Sequence, residues 1–219
     1  MLEINNYNSA ILHNITFSLK KNENLIILGE NGAGKSTLAK VLSNLISNNS
    51  VKLFGENIDK ISDLKRAKLI NYIPPKLSIF DEYVTLKEFL ELSTITNVDN
   101  EKIDNLIKLL KLEKLKHRYC KDFSSGEKQL LLLASSIMHD AKITIFDELT
   151  ANLDISRLKE VFDIFNSDLL KQKIIITHNL DLAYALKFKV LFIKDGKIEF
   201  FGQHDEFFSN ENLKKFYNN

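Results

Sequence analysis

The sequence predicts an α/β fold with a mostly parallel central sheet, an antiparallel β subdomain and an inserted helical subdomain. Along most of the 219 residues, short apolar runs alternate with helical patterns, which is typical of a parallel sheet covered by helices. Two strands open the chain without a helix between them, and residues 85–138 are almost entirely helical in pattern. We expect a single domain over residues 1–219, with an α/β core at about 1–76 and 140–219 and a helical subdomain at about 77–139.

The strands are predicted in order from apolar runs bounded by turn residues. Residues 2–4 and 15–19 form the opening pair, and residues 25–28 precede a glycine-rich loop whose helix should run to about Ser47. Residues 51–54 form a strand closed by Gly55, residues 64–69 are helical, and residues 70–73 form a strand halted by Pro74 and Pro75. The later strands are expected at residues 143–146, 174–176, 190–193 and 198–201.

The bulk composition excludes several classes of protein. Hydrophobic residues make up 44% and charged residues 27%, and the net charge of +1 gives no basic surface for nucleic acid. Cys120 is the only cysteine, which excludes an intrachain disulfide and favours a reducing compartment. No apolar run approaches the roughly 18–20 residues of a membrane span, and the N-terminus lacks a signal-peptide layout. We therefore expect a cytoplasmic protein that reaches any membrane through a partner.

A glycine-rich loop follows the strand at residues 25–28. Its residues are Gly29, Glu30, Asn31, Gly32, Ala33, Gly34, Lys35, Ser36 and Thr37. Glycines let successive backbone N–H groups point at phosphate oxygens, and the following helix adds its positive end. Lys35 would reach the β- and γ-phosphates, and the Ser36 hydroxyl would bind Mg²⁺. An ordinary glycine turn is the alternative, but the flanking strand and helix favour a nucleoside triphosphate site and hence a P-loop NTPase core.

Two carboxylates end the strand expected at residues 143–146. Asp147 is positioned to hold Mg²⁺, directly or through water, and Glu148 to polarise an attacking water as general base. Paired acids at the end of a strand can also simply mark a position exposed to solvent. The phosphate loop upstream favours the catalytic interpretation.

A helix start lies between these two motifs. Ser124 is expected to be its N-cap, and Glu127, three residues on, completes a capping box. Alone, this pattern is an ordinary helix start.

The phosphate loop, this helix start and the acid pair together resemble the ATP-binding subunit of ABC transporters, in order and over essentially the whole chain. The resemblance assigns the family's signature motif to Phe123, Ser124, Ser125, Gly126 and Glu127. It assigns the D-loop to Ala151, Asn152, Leu153 and Asp154, and the switch histidine to His178. It implies an ATPase that uses ATP and Mg²⁺, with Glu148, His178 and Lys35 in catalysis.

The resemblance also implies partners. Two copies would form a head-to-tail homodimer, in which each ATP lies between one phosphate loop and the other copy's Ser124, Ser125, Gly126, Glu127 and Asp154. Integral membrane permease subunits and a separate substrate-binding protein are implied as well, with the chain on the cytoplasmic face of the inner membrane. Tyr7 is the candidate for an aromatic ring that stacks on adenine, and an ordinary packing tyrosine is the alternative.

Three positions depart from the family pattern. Pro75 stands where the family usually has a glutamine that contacts Mg²⁺ and the attacking water, and proline has no side-chain oxygen. Ser125 replaces a signature glycine, and Leu149 replaces a proline. A weakly hydrolysing regulatory subunit is therefore one alternative, and a soluble ABC ATPase for cofactor or metal-cluster assembly is another.

Two variable stretches, residues 61–70 and 195–217, resemble importers of iron-siderophores, haem and cobalamin. This resemblance favours ATP hydrolysis that powers import of an iron chelate or similar metal complex through a separate permease. Import of another metal or of a small solute is the alternative.

Overall fold

The computed structural model describes residues 1–78, 81–95, 97–151 and 153–217. Within these residues the strands are β1 (Leu2–Tyr7), β2 (Ile15–Leu19), β3 (Leu25–Gly29), β4 (Val51–Leu53), β5 (Glu56–Asn57), β6 (Ile70–Ile73), β7 (Ile143–Asp147), β8 (Gln172–Ile176), β9 (Lys189–Lys194) and β10 (Lys197–Gly202). The α-helices are α1 (Lys35–Leu42), α2 (Asp63–Leu69), α3 (Leu86–Leu92), α4 (Asn100–Leu109), α5 (Ser125–His139), α6 (Ile155–Asn166), α7 (Leu180–Leu186), α8 (His204–Phe207) and α9 (Asn210–Tyr217).

A six-stranded sheet forms the centre of the molecule, in the order β10-β9-β3-β8-β7-β6. Neighbouring strands are parallel from β9 to β6, and β10 is antiparallel to β9. Because the central strands are buried on both faces, they contain consecutive apolar residues rather than an alternating pattern, as in residues 25–28 of β3 and 174–176 of β8. The mostly parallel sheet is confirmed, and the bounds of its strands differ from the prediction by two residues at most.

The two faces of this sheet belong to two separate hydrophobic clusters. Ile26 and Leu28 of β3 pack with the helices that follow β6, from α3 to α9. Leu25 and Ile27 face the other way and pack with α1 and the second sheet. The alternation of side chains along one strand thus joins both layers of the core.

The second sheet has four antiparallel strands in the order β2-β1-β4-β5, which confirms the antiparallel β subdomain and its opening pair. Strand β4 ends at Leu53 and not at the predicted Phe54, because Phe54 (φ 51°) and Gly55 (φ 89°) form a left-handed two-residue hairpin turn. Strand β5 was not expected, since two residues are too short to give a periodic pattern.

Helix α1 ends at Leu42, so the prediction that it continues to about Ser47 was wrong. Asn44 adopts a left-handed conformation (φ 60°), and the N–H groups of Leu45 and Ile46 both donate to the Lys40 carbonyl. Such a reversal ends a helix. Leu45, which extended the apolar pattern, is 63% exposed.

The helical insertion lies between β6 and β7 and contains α3, α4 and α5. Its helices bury apolar side chains at Leu86 and Leu90 on α3 and at residues 103, 106, 107 and 110 on and just after α4, while Phe89 is partly buried. Short 3-10 turns at Glu113–Leu115 and Cys120–Asp122 interrupt the helical pattern. The division of the chain near residues 76 and 140 stays a prediction. In the part of the chain that the structure describes, no helix is long and apolar enough to cross a membrane.

Candidate active site

The glycine-rich loop between β3 and α1 follows a backbone path that requires glycine. Gly29, Gly32 and Gly34 have φ angles of 151°, 83° and 101°. A Cβ at Gly29 would lie 2.2 Å from the carbonyl oxygen of Ile193, and one at Gly34 would lie 2.6 Å from Cδ2 of Leu12. Gly34 is the N-cap of α1, so the loop leads directly into the positive end of that helix.

A cavity of about 350 Å³ opens at this loop. It is lined by Ile11, Asn31, Gly32, Gly34, Lys35, Ser36, Thr37 and Glu148. The predicted phosphate loop and the predicted general base therefore face one space, at the carboxyl ends of the parallel strands β3 and β7.

The Lys35 side chain lies inside the loop. Its Nζ donates to the carbonyl oxygens of Gly29 and Glu30, each at 2.9 Å. Burial lowers the pKa of Lys35, and the nearby carboxylates of Glu148 and Asp147 act in the opposite direction. The loop thus holds a positive charge beside its inward-turned backbone, where an anionic phosphate chain would be favoured.

Asp147, at the end of β7, is fully buried and accepts two hydrogen bonds. The Ser36 hydroxyl donates to Oδ1 at 3.0 Å, and the Tyr72 hydroxyl donates to Oδ2 at 2.8 Å. Burial and the hydrogen bond to Asp147 raise the pKa of Tyr72 well above its ordinary value. Ser36 and Asp147 were predicted to meet, whereas Tyr72 was not predicted.

The oxygens at this point fit the chemistry of magnesium, which prefers carboxylate and hydroxyl ligands and keeps several waters. Ser36 and Asp147 would hold the ion; among the described residues, His, Cys, Asp and Glu form no cluster of three or more that could bind a metal instead. When bound, Mg²⁺ neutralises charge on phosphate oxygens.

Glu148 and His178 form a second polar pair at the same edge of the sheet. Oε2 of Glu148 lies 2.8 Å from Nδ1 of His178, whose side chain is exposed. Glu148 has a φ of 53°, and its N–H donates to the Ile176 carbonyl at 3.0 Å. A left-handed glutamate costs free energy, and such strain is concentrated at functional sites.

Helix α5, to whose start the resemblance assigns the signature motif, begins as expected but does not line this cavity. Ser124 caps α5 and forms the predicted capping box with Glu127, and Ser124 and Ser125 are exposed. None of residues 124–127, all of which are described, lines the cavity at the phosphate loop. Asp154 caps α6 by accepting from the Arg157 N–H at 2.9 Å, and Asn152 of the predicted D-loop lies outside the described residues.

Tyr7 was the candidate for stacking on adenine. Its side chain is only 9% exposed and packs in the core between the second sheet and α1. A ring buried in this way offers little surface to a base, so the structure favours the packing alternative. Ile11, which is 49% exposed and lines the cavity, was not singled out in the sequence, because a single apolar residue between two strands gives no pattern.

Pro75 lies exposed just beyond β6, and its carbonyl oxygen accepts a hydrogen bond from Nε2 of Gln129 at 2.8 Å. Gln129 is buried on α5, and its Oε1 has no hydrogen-bond partner among the described residues. This contact joins the end of β6 to the signature helix. Since the two residues are 54 positions apart, no local pattern could have predicted it.

Comparison with known proteins gives consistent matches. The family model described as ABC transporter matches residues 12–151. An uncharacterized ABC transporter ATP-binding protein of Methanocaldococcus jannaschii is 32% identical, over 94% of this chain and 85% of its own. The energy-coupling factor transporter ATP-binding protein EcfA1 of Fusobacterium nucleatum is 34% identical, over 95% of this chain and 83% of its own.

A solved structure has the same fold. It is the dimeric, post-hydrolysis state of an ATP-binding cassette bound to ADP and Pi. Its TM-score is 0.79 at 19% sequence identity, over 93% of this chain and 99% of that chain.

Proposed function

The chain belongs to the ABC transporter family as an ATP-binding ATPase subunit that uses ATP with Mg²⁺, and from this we propose that it powers solute import through a separate membrane permease. The observation that carries the proposal is the meeting of Lys35, Ser36, Asp147, Glu148 and His178 at one edge of the parallel sheet. Together these groups supply a phosphate-binding charge, ligands for Mg²⁺ and a general base with its partner, which are the parts that nucleotide hydrolysis requires.

Each of these residues has a role in the proposed reaction. Lys35 and the backbone N–H groups of the loop bind the phosphates, and Ser36 and Asp147 hold Mg²⁺. Glu148 accepts the proton of the attacking water, and His178 holds the Glu148 carboxylate at 2.8 Å.

We further propose that the working unit is a head-to-tail pair. The N-terminus of α5 is exposed at Ser124 and Ser125, does not line the cavity at its own phosphate loop, and presents the positive helix end that favours an anion. A second copy would bring this helix start over the cavity of the first, together with Gly126, Glu127 and Asp154. ATP would then lie between two chains, and its hydrolysis would separate them.

The permease would keep the chain on the cytoplasmic face of the inner membrane. A separate substrate-binding protein would deliver the solute to the permease. An iron chelate or similar metal complex is the solute that residues 61–70 and 195–217 favour, because these stretches resemble importers of that type. The exposed Pro75 supports a second candidate, a regulatory subunit that hydrolyses slowly, since this position offers no side-chain amide to Mg²⁺ and water.

The test begins with affinity purification of the tagged chain from detergent-solubilised membranes. We expect an integral membrane protein to co-purify, and the complex in liposomes to take up ferric siderophore, haem or cobalamin only with ATP. Uptake of zinc, molybdate or a phosphonate instead would contradict the iron-chelate assignment alone. Absence of any membrane partner, with active ATPase in the soluble fraction, would contradict the transport proposal.

A further inference from the structure

The two oxygens of the buried Asp147 carboxylate have donors from two different elements. Ser36, on the first turn of α1, donates to Oδ1 at 3.0 Å. Tyr72, on β6, donates to Oδ2 at 2.8 Å. Because Asp147 is 0% exposed, bulk water cannot replace either donor if it is removed.

Strand register explains how Tyr72 reaches this carboxylate. Tyr72 lies beside Ile145 in the parallel β6–β7 pair, and Asp147 is two residues beyond Ile145 on the same face of the sheet. The Tyr72 ring is partly buried and packs against the cluster that contains α1. A ring held between a strand and a packed core delivers its hydroxyl with little freedom.

Tyr72 also stands on the strand that leads to Pro75. Pro75 has no polar side chain, and its carbonyl oxygen is already bonded to Gln129. The contact between β6 and the carboxylate expected to hold the metal ion is therefore made by Tyr72 and not by the residue three positions later.

We propose that Tyr72 is a positioning residue for Asp147. The Tyr72 hydroxyl fixes the rotation of the Asp147 carboxylate and keeps its Oδ1 directed toward Ser36. The inference rests on the proposed role of Ser36 and Asp147 in holding Mg²⁺. Without the hydroxyl, Oδ2 is left buried and unpaired, and the carboxylate can turn away from Ser36 to find another donor. The affinity for Mg²⁺ then falls, while contacts between the phosphates and the loop are unchanged.

The test is Tyr72→Phe, which removes the hydroxyl and leaves the packed ring. Binding of a fluorescent ATP analogue is measured in EDTA and during a titration with Mg²⁺. We expect the affinity in EDTA to stay within about twofold, and the half-saturating Mg²⁺ concentration to rise about tenfold, as for other residues that orient metal ligands. Tyr184→Phe, which removes an exposed hydroxyl on α7, is the matched control and should change neither value.

An unchanged half-saturating Mg²⁺ concentration in Tyr72→Phe would overturn the inference, and so would a loss confined to thermal stability, which would indicate packing alone. If the wild-type protein itself bound the analogue equally well with and without Mg²⁺, the proposed magnesium site would fail first, and the inference with it. The wild-type titration thus separates the two failures.

Discussion

Nδ1 of His178 lies 2.8 Å from Oε2 of Glu148, at the edge of the sheet where the phosphate loop opens. The two residues follow neighbouring parallel strands, β8 and β7, so the sheet itself sets their separation. Glu148 is mostly buried and His178 is exposed, and the histidine therefore restrains the carboxylate from the solvent side.

His178→Ala should reduce ATP turnover by about 10–100-fold, because Glu148 loses the partner that orients it. The affinity for ATP should change little, since His178 does not line the cavity at the loop. Phosphate release and nucleotide binding measured on the same preparation distinguish the two effects. His117→Ala, at an exposed position in the helical insertion, is the control, and equal turnover in both variants would refute the role of His178.

Lys35→Ala should abolish ATP binding or turnover. The substitution removes the charge that the loop holds between the Gly29 and Glu30 carbonyls, while the glycine backbone remains. Binding is measured by titration calorimetry, with Lys40→Ala, an exposed lysine on the same helix, as control. Near-normal hydrolysis by Lys35→Ala at saturating ATP would be incompatible with a phosphate-binding loop.

Alanine substitutions at two glycines of the loop should lower the free energy of unfolding by different amounts. At Gly32 a Cβ meets nothing within 4 Å, so Gly32→Ala should lower the free energy of unfolding by about 1–2 kcal/mol through its positive φ alone. At Gly29 the Cβ would collide with the Ile193 carbonyl of β9, and we expect a loss of about 3 kcal/mol or more. Urea denaturation of the two variants measures the difference, and equal midpoints would contradict the loop geometry.

Pro75→Gln should raise ATPase activity. The carbonyl at this position can still accept from Gln129, while the new side chain supplies the amide oxygen that proline lacks. The gain should depend on Mg²⁺ and vanish in a Glu148→Gln background. Unchanged activity and unchanged Mg²⁺ dependence would instead mean that Pro75 only shapes a surface turn.

The pattern of the sequence was sufficient for the central strands and for the motifs that follow them. Strands buried on both faces contain runs of consecutive apolar residues, and loops such as residues 29–37 carry their chemistry in consecutive residues. The contacts that could not be predicted join distant segments. The Tyr72–Asp147 bond depends on the register of β6 against β7, and the Gln129–Pro75 bond depends on how α5 packs over β6.

The end of α1 and the burial of Tyr7 also could not be predicted from the sequence. The apolar pattern after α1 continued to Leu45, but left-handed Asn44 ends the helix before it. Tyr7 was chosen for its aromatic ring near the second strand, and only the packed structure reveals that the ring is buried. A side chain's type indicates what it could bind, whereas its burial decides whether it can.

The most direct test of the account is the mass of Glu148→Gln with ATP and Mg²⁺, measured by gel filtration with light scattering. Glutamine can hold a water without accepting its proton, so ATP should remain bound between two chains. We predict a species of about 50 kDa, twice the 25.2 kDa of one chain, which disappears in EDTA and is absent in Glu199→Gln, an exposed control. A mass of one chain under all conditions, with turnover equal to wild type, would contradict the account.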